Sequence, residues 1–164
     1  MNKYSKTSKN ISTKQKGDIA ESIIVEFITL YGETTLSCYK PISDDDGIDL
    51  IVKEKGGSKT VFLQIKSRFG DEISNRQKHF SVKTKTIPED RSLMAFIFCI
   101  FDIDKGEFSD LWFVPAKDFI NSPNKSKDGK ILRFARGNNK WDEFLIDKKE
   151  LANKIREFML INTV

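Results

Sequence analysis

The unbroken apolar run from Leu93 to Phe101, closed by Asp102, limits the possible folds more than any other segment. A strand with one wet face alternates polar and apolar residues. This run offers no wet face, so it reads as a central strand covered on both sides. It is far short of the roughly 20 residues that span a bilayer, and no membrane association is expected. With 164 residues, 13 Phe and 38% hydrophobic residues, the chain can fill one sizeable core but not comfortably two.

Around that run the other elements fall into order. Ser12 and Gln15 fit a capping box, which starts a helix at Thr13. Ile19, Ile23, Phe27 and Leu30 recur at helical spacing, and Gly32 supplies the stop. Strands are predicted over 34–40, 48–54 and 60–68, with the acidic stretch Asp44, Asp45, Asp46 as one turn and Lys55 to Ser58 as the next. Residues 70–78 read as a loop and 79–86 as a further strand, and Pro88 is expected to open a short helix before the central run. A strand over 108–114 leads through Pro115 into a short helix, and 121–130 is loop-forming. Segments 131–136 and 140–146 are predicted to form a hairpin. Asp147 and Glu150 then box the start of a last helix, which turns Leu151, Ile155, Phe158 and Met159 inward. Helix, several strands, helix: the class is mixed α/β, with residues 1–12 as a basic flexible arm and 13–164 as a single domain.

Net charge of +4 and a pI near 9.0 permit a polyanionic partner without requiring one. Cys38 and Cys99 are far apart in apolar surroundings, which is neither a disulfide framework nor a zinc spacing. The polar N-terminus has no apolar core of a secretory signal, so a cytoplasmic protein is expected.

The chemistry concentrates in three places: Glu21 on the first helix, Asp49 in Gly47-Ile48-Asp49, and Gln64-Ile65-Lys66 on the third strand. Strand alternation puts Gln64 and Lys66 on one side and turns Leu63 and Ile65 to the other. Pairing across the Lys55 to Ser58 turn is expected to bring Asp49 roughly opposite Lys66 or Arg68. The plain reading of that pair is a cross-strand ion pair, worth at most about 1 kcal/mol on an exposed face. The chemical reading is phosphodiester hydrolysis. Two acids and a backbone carbonyl hold a hydrated divalent cation, and a lysine stands beside the attacking water and the phosphate.

On these residues the chain resembles the PD-(D/E)XK nuclease superfamily, which includes restriction endonucleases and Holliday junction resolvases. The likeness runs in order from about residue 13 to 115. Gly47-Ile48-Asp49, the Gln-x-Lys ending and the passage Leu111-Trp112-Phe113-Val114-Pro115 are more similar to the methylation-dependent restriction endonuclease branch and related uncharacterised prokaryotic proteins. The resemblance implies a restriction endonuclease-like mixed sheet flanked by helices and a DNA endonuclease using Mg²⁺ or Mn²⁺. It implies Asp49, Gln64, the Ile65 carbonyl and Glu21 around the metal, with Lys66 assisting attack. It also implies, by analogy, a homodimer, since cutting both strands is simpler with two sites. Gln64 stands where many members have Glu or Asp. The lost negative charge, at about 4 Å from a divalent ion, is worth several kcal/mol at an intermediate dielectric, so weaker metal binding is expected unless Glu21 or an acid such as Asp46 compensates.

The competing readings are a non-catalytic nucleic-acid-binding or assembly module with a degenerate site, and a small structural protein. Asp44, Asp45 and Asp46 read as a solvated turn, His79 as a surface residue, and Trp112 and Trp141 as core. Lys66, Arg68, Arg76, Lys78, Lys83, Lys85, Arg133, Arg136 and Lys140 are candidates for tracking DNA phosphates.

Overall fold

The computed structural model describes residues 11–43, 47–70, 79–87, 89–90, 92–121, 126–127, 131–135 and 139–162. The basic arm up to residue 10, the Asp44 to Asp46 turn, and Arg76, Lys78 and Arg136 lie outside them.

Helix α1, Thr13–Tyr31, begins as its sequence requires. The Ser12 hydroxyl accepts from the Gln15 amide, and the Gln15 side chain accepts from the Ser12 amide, closing the capping box. It ends at Gly32, after which Glu33 and Thr34 take positive φ and turn the chain into β1, Leu36–Tyr39. Strands β2, Leu50–Glu54, and β3, Thr60–Gly70, form a hairpin. Next come β4, His79–Lys83, and β5, Met94–Asp102. Strand β6, Glu107–Pro115, runs straight into α2, Ala116–Ile120. Strand β7, Ile131–Ala135, and helix α3, Leu151–Asn162, complete the fold, the latter entered through the Asp147 and Glu150 capping box.

The main sheet has the order β1-β2-β3-β5-β6. Its β3–β5 pair is parallel and the other pairs are antiparallel, so it is a mixed sheet. A parallel pair needs a crossover between its strands, and here the crossover carries β4 over one face.

The apolar run behaves as read. Ala95, Ile97 and Cys99 join α1 and α3 in one core cluster, with Ala20, Ile24, Ile28, Leu151, Ile155 and Phe158. Phe96, Phe98 and Ile100 join the opposite cluster, with Phe80, Val82, Phe119 and Trp141. Both faces of β5 are therefore dry, and both tryptophans belong to the core.

Two expectations fail. Residues 131–136 and 140–146 do not form a hairpin. Strand β7 pairs antiparallel with β4, and residues 139–144 form a 3₁₀ turn. Trp141 and Phe144 stand three apart, and the turn lets Trp141 drop into the β4-side core with Phe144 packed against it. The short helix before the central run is also missing among the described residues. Ser92 instead bonds the Asp90 carboxylate through both its amide and its hydroxyl, a local turn that competes with helix.

A cleft at the end of the second strand

The site exists because β2 stops while β3 continues. Pairing between them runs from Lys53↔Thr60 to Leu50↔Leu63. Strand β3 then continues to Gly70 with β5 on its other edge. Where the neighbour is missing, a cleft of about 1000 Å³ opens between α1 and β4.

Asp49 stands at the point of separation. The register expected from sequence is corrected here: Asp49 falls level with Gln64, not with Lys66 or Arg68. Glu54 and Lys59 flank the turn, with the Glu54 amide donating to the Lys59 carbonyl, and counting outward in pairs from there leads to Leu50↔Leu63. The Asp49 amide donates to the Leu63 carbonyl at 2.9 Å, and the Asp49 Oδ2 accepts from the Ile65 amide at 2.6 Å. The carboxylate takes the place that the next strand carbonyl would fill, so it ends the ladder and is pinned against the Gln64-Ile65-Lys66 segment. A charge-assisted bond of this kind is roughly twice as strong as a neutral one.

Lys66, Arg68 and Ser67 line the cleft from β3, Phe80 and Ser81 from β4, and Thr13, Lys14, Lys16, Gly17, Asp18 and Glu21 from α1. Arg68 is held in place. Its Nε donates to the His79 carbonyl at 3.0 Å, and its guanidinium lies 5.8 Å from the centre of the Phe80 ring. Glu21 forms an ion pair with Lys40 at 2.8 Å, beside the end of β1. Lys40 is half exposed, so the pair is worth no more than about 1 kcal/mol.

Gln64 is placed differently. Its side chain is only 3% exposed and is not among the cleft-lining groups, and its Oε1 accepts no hydrogen bond from the described residues. A buried polar atom in that state costs about 1–3 kcal/mol. Gly47 closes over the same amide. At φ +66° it occupies the left-handed region, and a Cβ there would lie 2.7 Å from the Thr86 Cβ and 3.0 Å from the Gln64 Nε2.

Of the residues singled out in the sequence, Glu21, Asp49, Ile65 and Lys66 meet in one cleft, and Gln64 sits behind it. His79 is exposed at the start of β4. Among the described residues no group of three or more His, Cys, Asp or Glu gathers. A cation here would draw on two carboxylates together with main-chain, amide and water oxygens. That donor set suits Mg²⁺, a hard ion that keeps several waters, and the unsatisfied Gln64 oxygen is consistent with it. Lys14, Lys16 and Gly17 were missed in the sequence. Counting back from Glu21 at helical spacing finds Gly17 and then Lys14 on its face.

No family model and no curated relative matches the chain. Among solved structures the fold is similar to that of a bacterial homing endonuclease, I-Ssp6803I. The TM-score is 0.52 with 17% identity, over 89% of this chain and 95% of that one. The mixed sheet flanked by helices is thus an arrangement that an endonuclease also uses. No helix among the described residues is long and apolar enough to cross a membrane.

Proposed function

We propose that this chain is a DNA endonuclease of the PD-(D/E)XK kind that depends on Mg²⁺ or Mn²⁺. The observation that carries the reading is the meeting of Glu21, Asp49 and Lys66 in one cleft, with the Asp49 carboxylate fixed on the Ile65 amide. Asp49, Glu21 and the Ile65 carbonyl would hold the ion, and the Gln64 amide oxygen would complete or support that set. When bound, the ion supplies positive charge for the phosphoryl oxygens and makes hydroxide available near neutral pH.

The chain's own groups do the rest. Asp49 keeps its orientation through the main-chain bond, so no reorganisation is needed when substrate arrives. Lys66, on the same strand, orients the attacking water and offsets phosphate charge. Arg68, anchored on the His79 carbonyl, presents a fixed cation to a neighbouring phosphate.

A second reading is favoured by two specific observations: Gln64 lies behind the cleft and Glu21 is engaged by Lys40. On that reading the fold is a nucleic-acid-binding module whose metal site no longer assembles. Incubation with plasmid and branched DNA in Mg²⁺ or Mn²⁺ separates the two. The endonuclease nicks or cuts, and Asp49→Ala lowers the rate at least about 100-fold with folding intact by circular dichroism. Equal cleavage by wild type and Asp49→Ala would mean a contaminating nuclease. Salt-sensitive DNA binding without cleavage or metal response would establish the module instead.

A further inference from the structure

Helix α1 contains a glycine that no contact among the described residues explains. Gly17 stands inside this 19-residue helix, where only proline is less favourable. Its φ is not positive, and a Cβ built there meets no atom within 4 Å among the described residues. Among the described residues, neither backbone conformation nor packing asks for the missing side chain. What distinguishes the position is that it lines the cleft, with Lys14 one turn before it and Glu21 one turn after it on the same helix face, and Lys16 beside it. A bare strip of helix flanked by ammonium groups therefore leads toward the carboxylates and Lys66.

We infer that this strip is a track for the DNA sugar–phosphate backbone. The absent Gly17 side chain lets the strand lie against α1, as glycine does where a backbone must approach a ligand closely. Lys14 and Lys16 contact phosphates next to the one held near Lys66, and Arg68 and Ser81 form the opposite wall. The lining charges decide the ligand class. Lys14, Lys16, Lys66 and Arg68 outnumber Asp18, Glu21 and Asp49, and Glu21 is already ion-paired with Lys40. The placement of the scissile phosphate rests on the endonuclease reading. The track itself is tested by binding alone.

The experiment titrates the full chain against a fluorescein-labelled duplex in EDTA, by anisotropy at several salt concentrations, beside thermal melts. Gly17→Ala is expected to raise the melting temperature by about 3 °C, because alanine favours helix, while weakening DNA binding severalfold. Gly17→Leu weakens it by more than about tenfold, equivalent to the loss of one good contact. Lys14→Gln and Lys16→Gln each reduce the slope of log affinity against log salt by about one. Lys117→Gln, on α2 and outside the cleft, leaves it unchanged.

Wild-type affinity and slope in the Gly17 and lysine variants would overturn the track. If Gly17→Leu does not fold, Gly17→Ala still carries the test, since a merely structural role gives higher stability with unchanged binding. A wild type that binds DNA as described but cuts nothing sinks the endonuclease reading and leaves the track standing. A wild type that binds no DNA removes the track.

Discussion

Strand β3 is two different objects along its length. From Thr60 to Leu63 it has β2 on one edge, and Val61 and Leu63 are fully buried. From Gln64 to Gly70 it keeps β5 but loses β2, and Lys66 and Arg68 reach into the cleft. The backbone conformation is the same in both halves. The difference lies in what occupies the edge among the described residues: a neighbouring strand in one half, a single carboxylate and open space in the other. A site built this way is precise because its parallel neighbour β5, buried on both faces, fixes the overhang. It is reachable because the ladder on its open side has been cut short.

The two halves should separate under mutation. If the chain is the proposed endonuclease, the largest effect is expected from Lys66→Ala, which lowers the cleavage rate by about 100-fold or more and leaves the urea midpoint near the wild-type value. Loss of activity accompanied by loss of fold would contradict the division. Leu63→Ala, three residues earlier, is the mirror case. A fully buried leucine cut to alanine costs about 2–5 kcal/mol of stability, while the cleavage rate per folded molecule stays near wild type in a low-temperature assay.

Gln64 sits on the boundary and sharpens the comparison. Gln64→Met removes a buried amide whose oxygen has no partner among the described residues, at similar volume, so stability in EDTA should rise by up to about 1–2 kcal/mol. The rise in melting temperature produced by Mn²⁺ should shrink in the same variant. A metal-induced shift equal to that of wild type would exclude the Gln64 oxygen from the cation site.

The smallest effect belongs to the sheet's paired side. Burial pushes the Cys38 thiol up to about 11 from an ordinary value near 9. The unfolded chain therefore ionises this group first. Its contribution to stability is complete below pH 9 and is lost as pH rises toward 11. Chemical denaturation of Cys38→Ala across that range should show a shallower decline than wild type, and parallel declines would refute the assignment.

Much of the scaffold was legible because its signals are local. Capping boxes at Ser12 and Asp147, helical spacing in α1 and α3, and the apolar run of β5 depend on neighbours within a few residues, although α1 buries Ala20, Ile24 and Ile28 and leaves Ile19 and Leu30 exposed. The β4–β7 pair was not legible, because the chain between His79 and Ile131 returns only after crossing the main sheet, and nothing in either segment names its partner. The same limit explains the misread 140–146 segment. Trp141 fits a strand pattern or a 3₁₀ turn equally well until the apolar hollow beside Phe119 decides.

The sequence by itself determined the site's chemical inventory: a helical acid, a strand acid and a lysine two residues beyond a glutamine, each in an element whose type its local pattern sets. Only the tertiary structure decided where those groups stand. The observed hairpin register set Asp49 level with Gln64 and let its carboxylate accept from the Ile65 amide, and the packing of the β4-side core put Gln64 behind the cleft rather than in it. The physical reason is range. Propensity and periodicity act through bonds between near neighbours, whereas register and burial are settled by contacts between segments that meet only when both faces of the sheet are covered.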